Sequence, residues 1–235
     1  MNAESVVRPF GVVRVSKVEA IPKGRLTFKE VVYWSMPHTG LAPEVMKWRC
    51  ANAKRLIGQV WKLQLMKKAS AISGHKFMYG TLWVRKFDGL SGEDRLFGIA
   101  SFNVVTNAGR DELVDEFDAA TAAGFDLTTF NFHGLGTGST AEAATQTALT
   151  TELTTEYTGN IRATGVQSQP TSDVYTSVAT NTLDSGTPTV AEHGLFSANA
   201  AGTMWDRSLT GAFPLVGTNG DGLQTTYNLT IASGG

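Results

Sequence analysis

The sequence predicts a mainly β protein, an antiparallel β-sandwich in its C-terminal part preceded by an extended basic N-terminal arm and one amphipathic helix. Threonine is the first sign, since 26 of the 29 threonines follow residue 105, and β-branched residues favour pleated, half-solvated surfaces. Periodicity is the second: beyond residue 129 apolar residues alternate at a step close to two, with turn chemistry between the runs. The third is a change of sign. Residues 1–105 hold 17 Lys+Arg against 7 Asp+Glu, and residues 106–235 hold 3 against 14. Residues 1–105 therefore read as a basic attachment region of arm, helix and strands, and residues 106–235 as a Thr-rich β-sandwich domain.

Each element has its own local warrant. Over the first forty residues short apolar bursts (Val12, Val13, Val15, Val18, then Leu26, Phe28, Val31, Val32 and Tyr33) are broken by Pro9, Pro22 and Pro37, which predicts an extended arm with strand character. From Ala42, Met46, Cys50, Ala53, Ile57, Val60, Trp61 and Leu65 recur at steps of three and four, with Pro43 at a first helical position. That spacing predicts a helix of about six turns with these residues on its apolar face. Residues 75–87 and 99–105 read as strands. Thr106 or Asn107 can cap a short acidic helix whose buried stripe would be Leu113, Val114 and Phe117. Further strands are expected around Phe130 to Leu135, Ile161 to Gly165, Val174 to Thr180 and Leu223 to Ile231, with turns at Asp184 to Gly186, Asn199 to Gly202 and Asn219 to Gly222.

A chain of 235 residues buries roughly 70–75% of its unfolded surface as one unit, so it needs no staples. Its single cysteine, Cys50, suits a reducing compartment. No run of eighteen apolar residues exists and the N-terminus lacks the order of a signal peptide, so a soluble intracellular product is expected.

No catalytic, cofactor or metal site assembles from the residues. Gly134, Gly136 and Gly138 could cradle an anion, but no lysine follows them and the segment is acidic. His38, His75, His133 and His193 sit in no recognisable catalytic frame; Glu192 and His193 are neighbours on a strand and so point to opposite faces. Asp111, Glu112, Asp115, Glu116 and Asp118 read as a solvated helix face and not as a cation site. The basic segment carries most weight. Arg8, Arg14, Lys17, Lys23 and Arg25 punctuate the arm, and Lys47, Lys54, Arg55 and Lys62 share one sector of the helix, interleaved with Trp34, Trp48, Trp61 and Trp83. Such surfaces serve protein partners, and less often nucleic acid.

Two stretches resemble a module found in structural proteins of tailed bacteriophages. One runs from Val104 to Gly109 through the glycine cluster to Thr147, Glu152 and Arg162; the other takes in Val178 to Thr180, Glu192 to Phe196, Gly202 to Arg207 and Leu223 to Ile231. The resemblance covers residues 99–235 and has no catalytic role to transfer. It implies a virion component with a β-sandwich module shared with tail-fibre and baseplate proteins. Joined to the basic leading segment, it leads to a capsid decoration (cement) protein, a homo-oligomer on the virion whose partner is the major capsid protein. The nine cations of the arm and helix would be its capsid contacts. The alternative is a tail-associated fibre, adaptor or baseplate component, and no membrane is involved.

Overall fold

The computed structural model describes residues 20–23, 25–73, 77–115 and 127–232. Among these residues three α-helices, α1 (Phe28–Ser35), α2 (Pro43–Ser73) and α3 (Asn107–Asp115), accompany nine strands. These are β1 (Phe77–Phe87), β2 (Asp94–Val105), β3 (Phe132–Gly136), β4 (Ala163–Thr164), β5 (Val166–Thr171), β6 (Val174–Thr182), β7 (Thr189–Phe196), β8 (Met204–Pro214) and β9 (Gly222–Ala232). All pairings are antiparallel, in the order β4-β3-β7-β8-β2-β1-β9-β6-β5. The order folds into two layers, β2-β1-β9-β6-β5 and β8-β7-β3-β4, giving the expected β-sandwich.

The layers are joined at two corners. At one, β2 pairs with β1 along most of its length and passes to β8 only at Val104 and Val105. At the other, β4 and β5 stand at opposite ends of the strand order yet are separated only by Gly165. There the Gly165 N–H donates to the Asn131 carbonyl at 2.6 Å, and an added Cβ would overlap Ser177 Oγ and lie 2.9 Å from both Asn131 O and His133 Nε2. Only glycine fits this corner. Gly165→Ala should lower stability by about 2 kcal/mol through overpacking, against no change for Gly159→Ala, where a Cβ meets nothing within 4 Å. Urea titrations with coincident midpoints for the two variants would refute this account of the corner.

The core between the layers includes Leu82, Val84, Phe97, Ala100, Leu135, Val190, Phe213 and Leu223. On β1 the alternate residues Tyr79 and Trp83 point the other way and are also buried, against Val60 and Leu63 of α2 and Val31 and Trp34 of α1. The helices thus form a third layer over β1 and β2. This corrects the division at residue 105: β1 and β2 are central strands of the sandwich, and the change of composition is not a boundary in the fold.

Two further expectations are corrected. The segment before Pro37 is not wholly extended, because Thr27 and Glu30 form a capping box that starts α1, with the Thr27 N–H donating to Glu30 Oε2 at 2.8 Å and the Glu30 N–H to Thr27 Oγ1 at 3.3 Å. The helix beginning at Pro43 is real but runs 31 residues, more than eight turns, and its buried face is a different one. Val45, Trp48, Arg49, Leu56, Val60, Leu63 and Ser70 face inward, whereas Cys50, Ile57, Trp61 and Leu65 are exposed. The inward stripe lies about 120° round the helix from the expected one, at 100° per residue.

The reason is that part of this inward face bonds backbone. Ahead of Val104, α2 side chains reach β2: Arg49 Nε donates to Phe97 O (2.9 Å), Arg55 to Ala100 O (2.8 Å), and Gln59 Oε1 accepts from the Phe102 N–H (3.2 Å). Arg49 also donates to the carbonyls of Tyr33 and Met36, at 2.7 and 3.2 Å, fastening the end of α1. These polar side chains supply partners to strand backbone that would otherwise be buried without them.

Candidate functional site

The motif that carries the resemblance folds into a buried ion-pair hub. Glu192 on β7 and Arg207 on β8 sit within their layer, and Arg207 Nε and Nη2 each approach Glu192 Oε2 at 2.6 Å with both side chains almost fully buried. The remaining capacity of Glu192 goes to backbone: Gly138 N–H donates to Oε1 at 3.0 Å, Thr151 N–H to Oε1 at 2.8 Å and Thr150 N–H to Oε2 at 3.1 Å. Arg207 Nη1 donates to Thr140 O and Gln146 Oε1, both at 3.1 Å. One ion pair therefore pins the long segment 137–152 against β7 and β8. A Cβ on Gly136 or Gly138 would collide with the Glu192 carboxylate, so the glycine cluster does admit an anion, and that anion is the chain's own glutamate.

A second pair repeats the device. Arg162 Nε and Nη2 meet Glu152 Oε1 and Oε2 at 2.6 and 2.9 Å, Nη1 donates to the Ala198 and Ala201 carbonyls, and the guanidinium lies 3.4 Å over the Phe196 ring. Glu142 completes the clasp by accepting from Ser101 Oγ (2.9 Å), the Leu209 N–H (2.7 Å) and Gln59 Nε2 (3.2 Å).

Between the layers His193 Nε2 lies 3.0 Å from His133 Nδ1, a diagonal contact between β7 and β3. His133 reaches the opposite layer through Thr225 Oγ1 and Ser177 Oγ, each at 2.8 Å. Both rings are fully buried. Burial drives the His133 pKa down to about 3, and burial followed by the neighbouring His133 drives His193 well below its ordinary value. As the sequence indicates, Glu192 and His193 point to opposite sides and form no dyad. Asp206 is buried as well, and burial, reinforced by Glu142, holds its carboxyl well above the usual range.

These groups bond strands and loops to one another, and among the described residues no three His, Cys, Asp or Glu side chains converge on a cation position. His38 stacks on Tyr33 with 4.4 Å between ring centroids, and His75 lies outside the described residues. No helix among the described residues is long and apolar enough to cross a membrane.

The outer helical layer carries the cations that the sequence singles out. Of the cations expected to make contacts, Arg8, Arg14 and Lys17 lie outside the described residues; Lys23, Arg25, Lys47, Lys54 and Lys62 are exposed. Arg55 turns inward to Ala100 O and Asn52 Oδ1, which takes it out of an outward-facing set. Three of the four tryptophans expected at the interface, Trp34, Trp48 and Trp83, belong to the core; Trp61 is 67% exposed. Lys47, Cys50, Lys54, Ile57, Trp61, Leu65, Lys68 and Ile72 fall within roughly 80° of the α2 circumference, all exposed. Glu44 is the helix's one acid. Against this stripe, α1 and α2 enclose a groove of about 330 Å³. The sequence places Cys50, Ile57, Trp61 and Leu65 on the buried face of the helix, whereas in the fold all four are exposed. No protein-family model, curated protein or solved structure matches the chain.

Proposed function

We propose that this chain is a structural attachment protein of a tailed-phage virion, in which the helical layer grips an acidic partner surface and the sandwich is a rigid body behind it. The observation that carries the reading is the outer face of α2, where lysines alternate with exposed Ile57, Trp61, Leu65 and Ile72 on a helix whose inward side is already packed. Large exposed apolar residues set among like charges are kept where a partner covers them. Opposite charge would orient and speed docking, and the apolar stripe would supply the holding energy. Taken with the resemblance to phage virion modules, the partner is the major capsid protein and the role is head decoration.

Cryo-EM of the virion tests this directly. Density for this chain on the outer head lattice, with α2 toward the capsid and copy numbers in the hundreds by gel densitometry, is the expected result. Density at the tail with a few to some tens of copies would replace decoration by a fibre, adaptor or baseplate role. A head-bound chain with α2 facing solvent would end the attachment reading itself.

A further inference from the structure

We propose that the groove between α1 and α2 receives a bulky apolar side chain presented by an acidic segment of a protein partner. The inference rests on the attachment reading and specifies the chemistry of the surface gripped. Phe28, Val32 and Met36 form one wall of the groove and Ile57, Val60 and Trp61 the other, with Gln64 at its end. Aromatic and aliphatic walls around a concave slot are the anatomy of an anchor pocket. Lys54 lies one turn before Ile57 on the exposed stripe, and Lys68 two turns after Trp61. No acid occurs between residues 45 and 73, and Glu30, the one acid of α1, is held by Thr27, so carboxylates beside the anchor would come from the partner.

Other occupants fit less well. A second copy docked by the same face would set lysines against lysines. An interfacial membrane helix separates its apolar and cationic faces, whereas here Lys54 shares the stripe of Trp61 and Leu65, so a bilayer that took in the apolar residues would take in the ammonium too. Phosphates of a nucleic acid would satisfy the lysines but leave Ile57, Leu65 and the groove without a partner, because bases stack on aromatic platforms.

The test pans the full-length chain against a random displayed peptide library at physiological salt. Enriched peptides should converge on a Leu, Ile, Phe or Trp bracketed by Asp or Glu. A synthetic peptide of that consensus should bind wild type at least about tenfold more tightly than Trp61→Ser or Lys54→Glu, two exposed positions whose substitution should leave the thermal melt unchanged. Absence of enrichment, a consensus without acids, or equal binding by Trp61→Ser overturns the proposal. Sedimentation with phosphatidylglycerol vesicles, or concentration-dependent dimerisation, that Trp61→Ser abolishes would also overturn it, in favour of lipid or of a second copy. Virions assembled with Trp61→Ser separate the two readings: undiminished copy number despite lost peptide binding would remove the groove and leave attachment through the lysines standing.

Discussion

Glu192→Ala should destabilise the folded chain by about 3–5 kcal/mol, because it strands a buried guanidinium and orphans three backbone donors at once. Arg207 then has Thr140 O and Gln146 Oε1 but no counter-charge, while the N–H groups of Gly138, Thr150 and Thr151 lose their acceptor. Removing both partners distinguishes these terms. In Glu192→Ala/Arg207→Met the uncompensated charge is gone, so part of the stability should return. The three orphaned N–H groups remain, so the double variant should still fall short of wild type. Urea midpoints place wild type first, the double variant second and Glu192→Ala last. A double variant as unstable as the single one would mean that the ion pair adds nothing beyond its backbone bonds. A double variant equal to wild type would mean that segment 137–152 is not held through Glu192 at all. Limited proteolysis reads the same hierarchy locally, with cleavage within 137–152 appearing first in Glu192→Ala.

The hub explains what the sequence motif encodes and why its meaning was hidden. Glu192 and Arg207 lie 15 positions apart on neighbouring strands, and Gly138 lies 54 positions before Glu192; no local period links them. A glycine cluster reads as an anion cradle from its composition, but only the fold reveals that a glutamate from β7 supplies the anion. Where structure follows from local rules the reading was sound. Val174 to Thr180 lie on β6 and Leu223 to Ile231 on β9, and Thr106 caps α3, its Oγ1 accepting from the Gly109 N–H at 3.0 Å; on β6, however, the inward residues are Ser177, Ala179 and Asn181 instead of the apolar set Val174, Thr176, Val178 and Thr180. The expected stripe of α3 holds only in part, since Leu113 packs on the core and Val114 is 63% exposed, with Phe117 outside the described residues.

The helical layer departs from the expectation for physical reasons. The Thr27/Glu30 capping box was present in the sequence, but nearby prolines outweighed it. On α2 two apolar stripes compete, and the buried one is interrupted by Arg49, which hydrogen-bonds backbone as a core residue instead of a surface cation. Periodicity counts apolar residues without knowing which will meet the sheet. The charge split misled similarly, since Glu152, Glu192, Asp206 and Asp221 are wholly or largely withdrawn into the body, leaving the Thr-rich part less acidic outside than its composition suggests.

Stability should fall as pH drops from about 6.5 to 4.5, and the slope should report three buried groups acting in opposite senses. In the unfolded chain a histidine takes up its proton near pH 6.5, but His133 in the fold resists protonation down to about pH 3 and His193 is likewise depressed. Each therefore leaves the unfolded state one proton richer across this window, and stability is lost with acid at up to about 1.4 kcal/mol per pH unit per group. Asp206 works the other way: its folded pKa is raised, so the native state holds a proton that the unfolded chain releases above about pH 4, and acid favours the fold. Two histidines outweigh one aspartate, so the net effect of acid across this window is a loss of stability. Asp206→Asn keeps a neutral side chain in place and removes the opposing titration, so its slope should be steeper than that of wild type, by at most about 1.4 kcal/mol per pH unit. Urea midpoints between pH 6.5 and 4.5 measure both. A flat wild-type profile would mean that the histidines take up protons without opening the sandwich, and identical slopes for wild type and Asp206→Asn would mean that Asp206 is ionised in the fold.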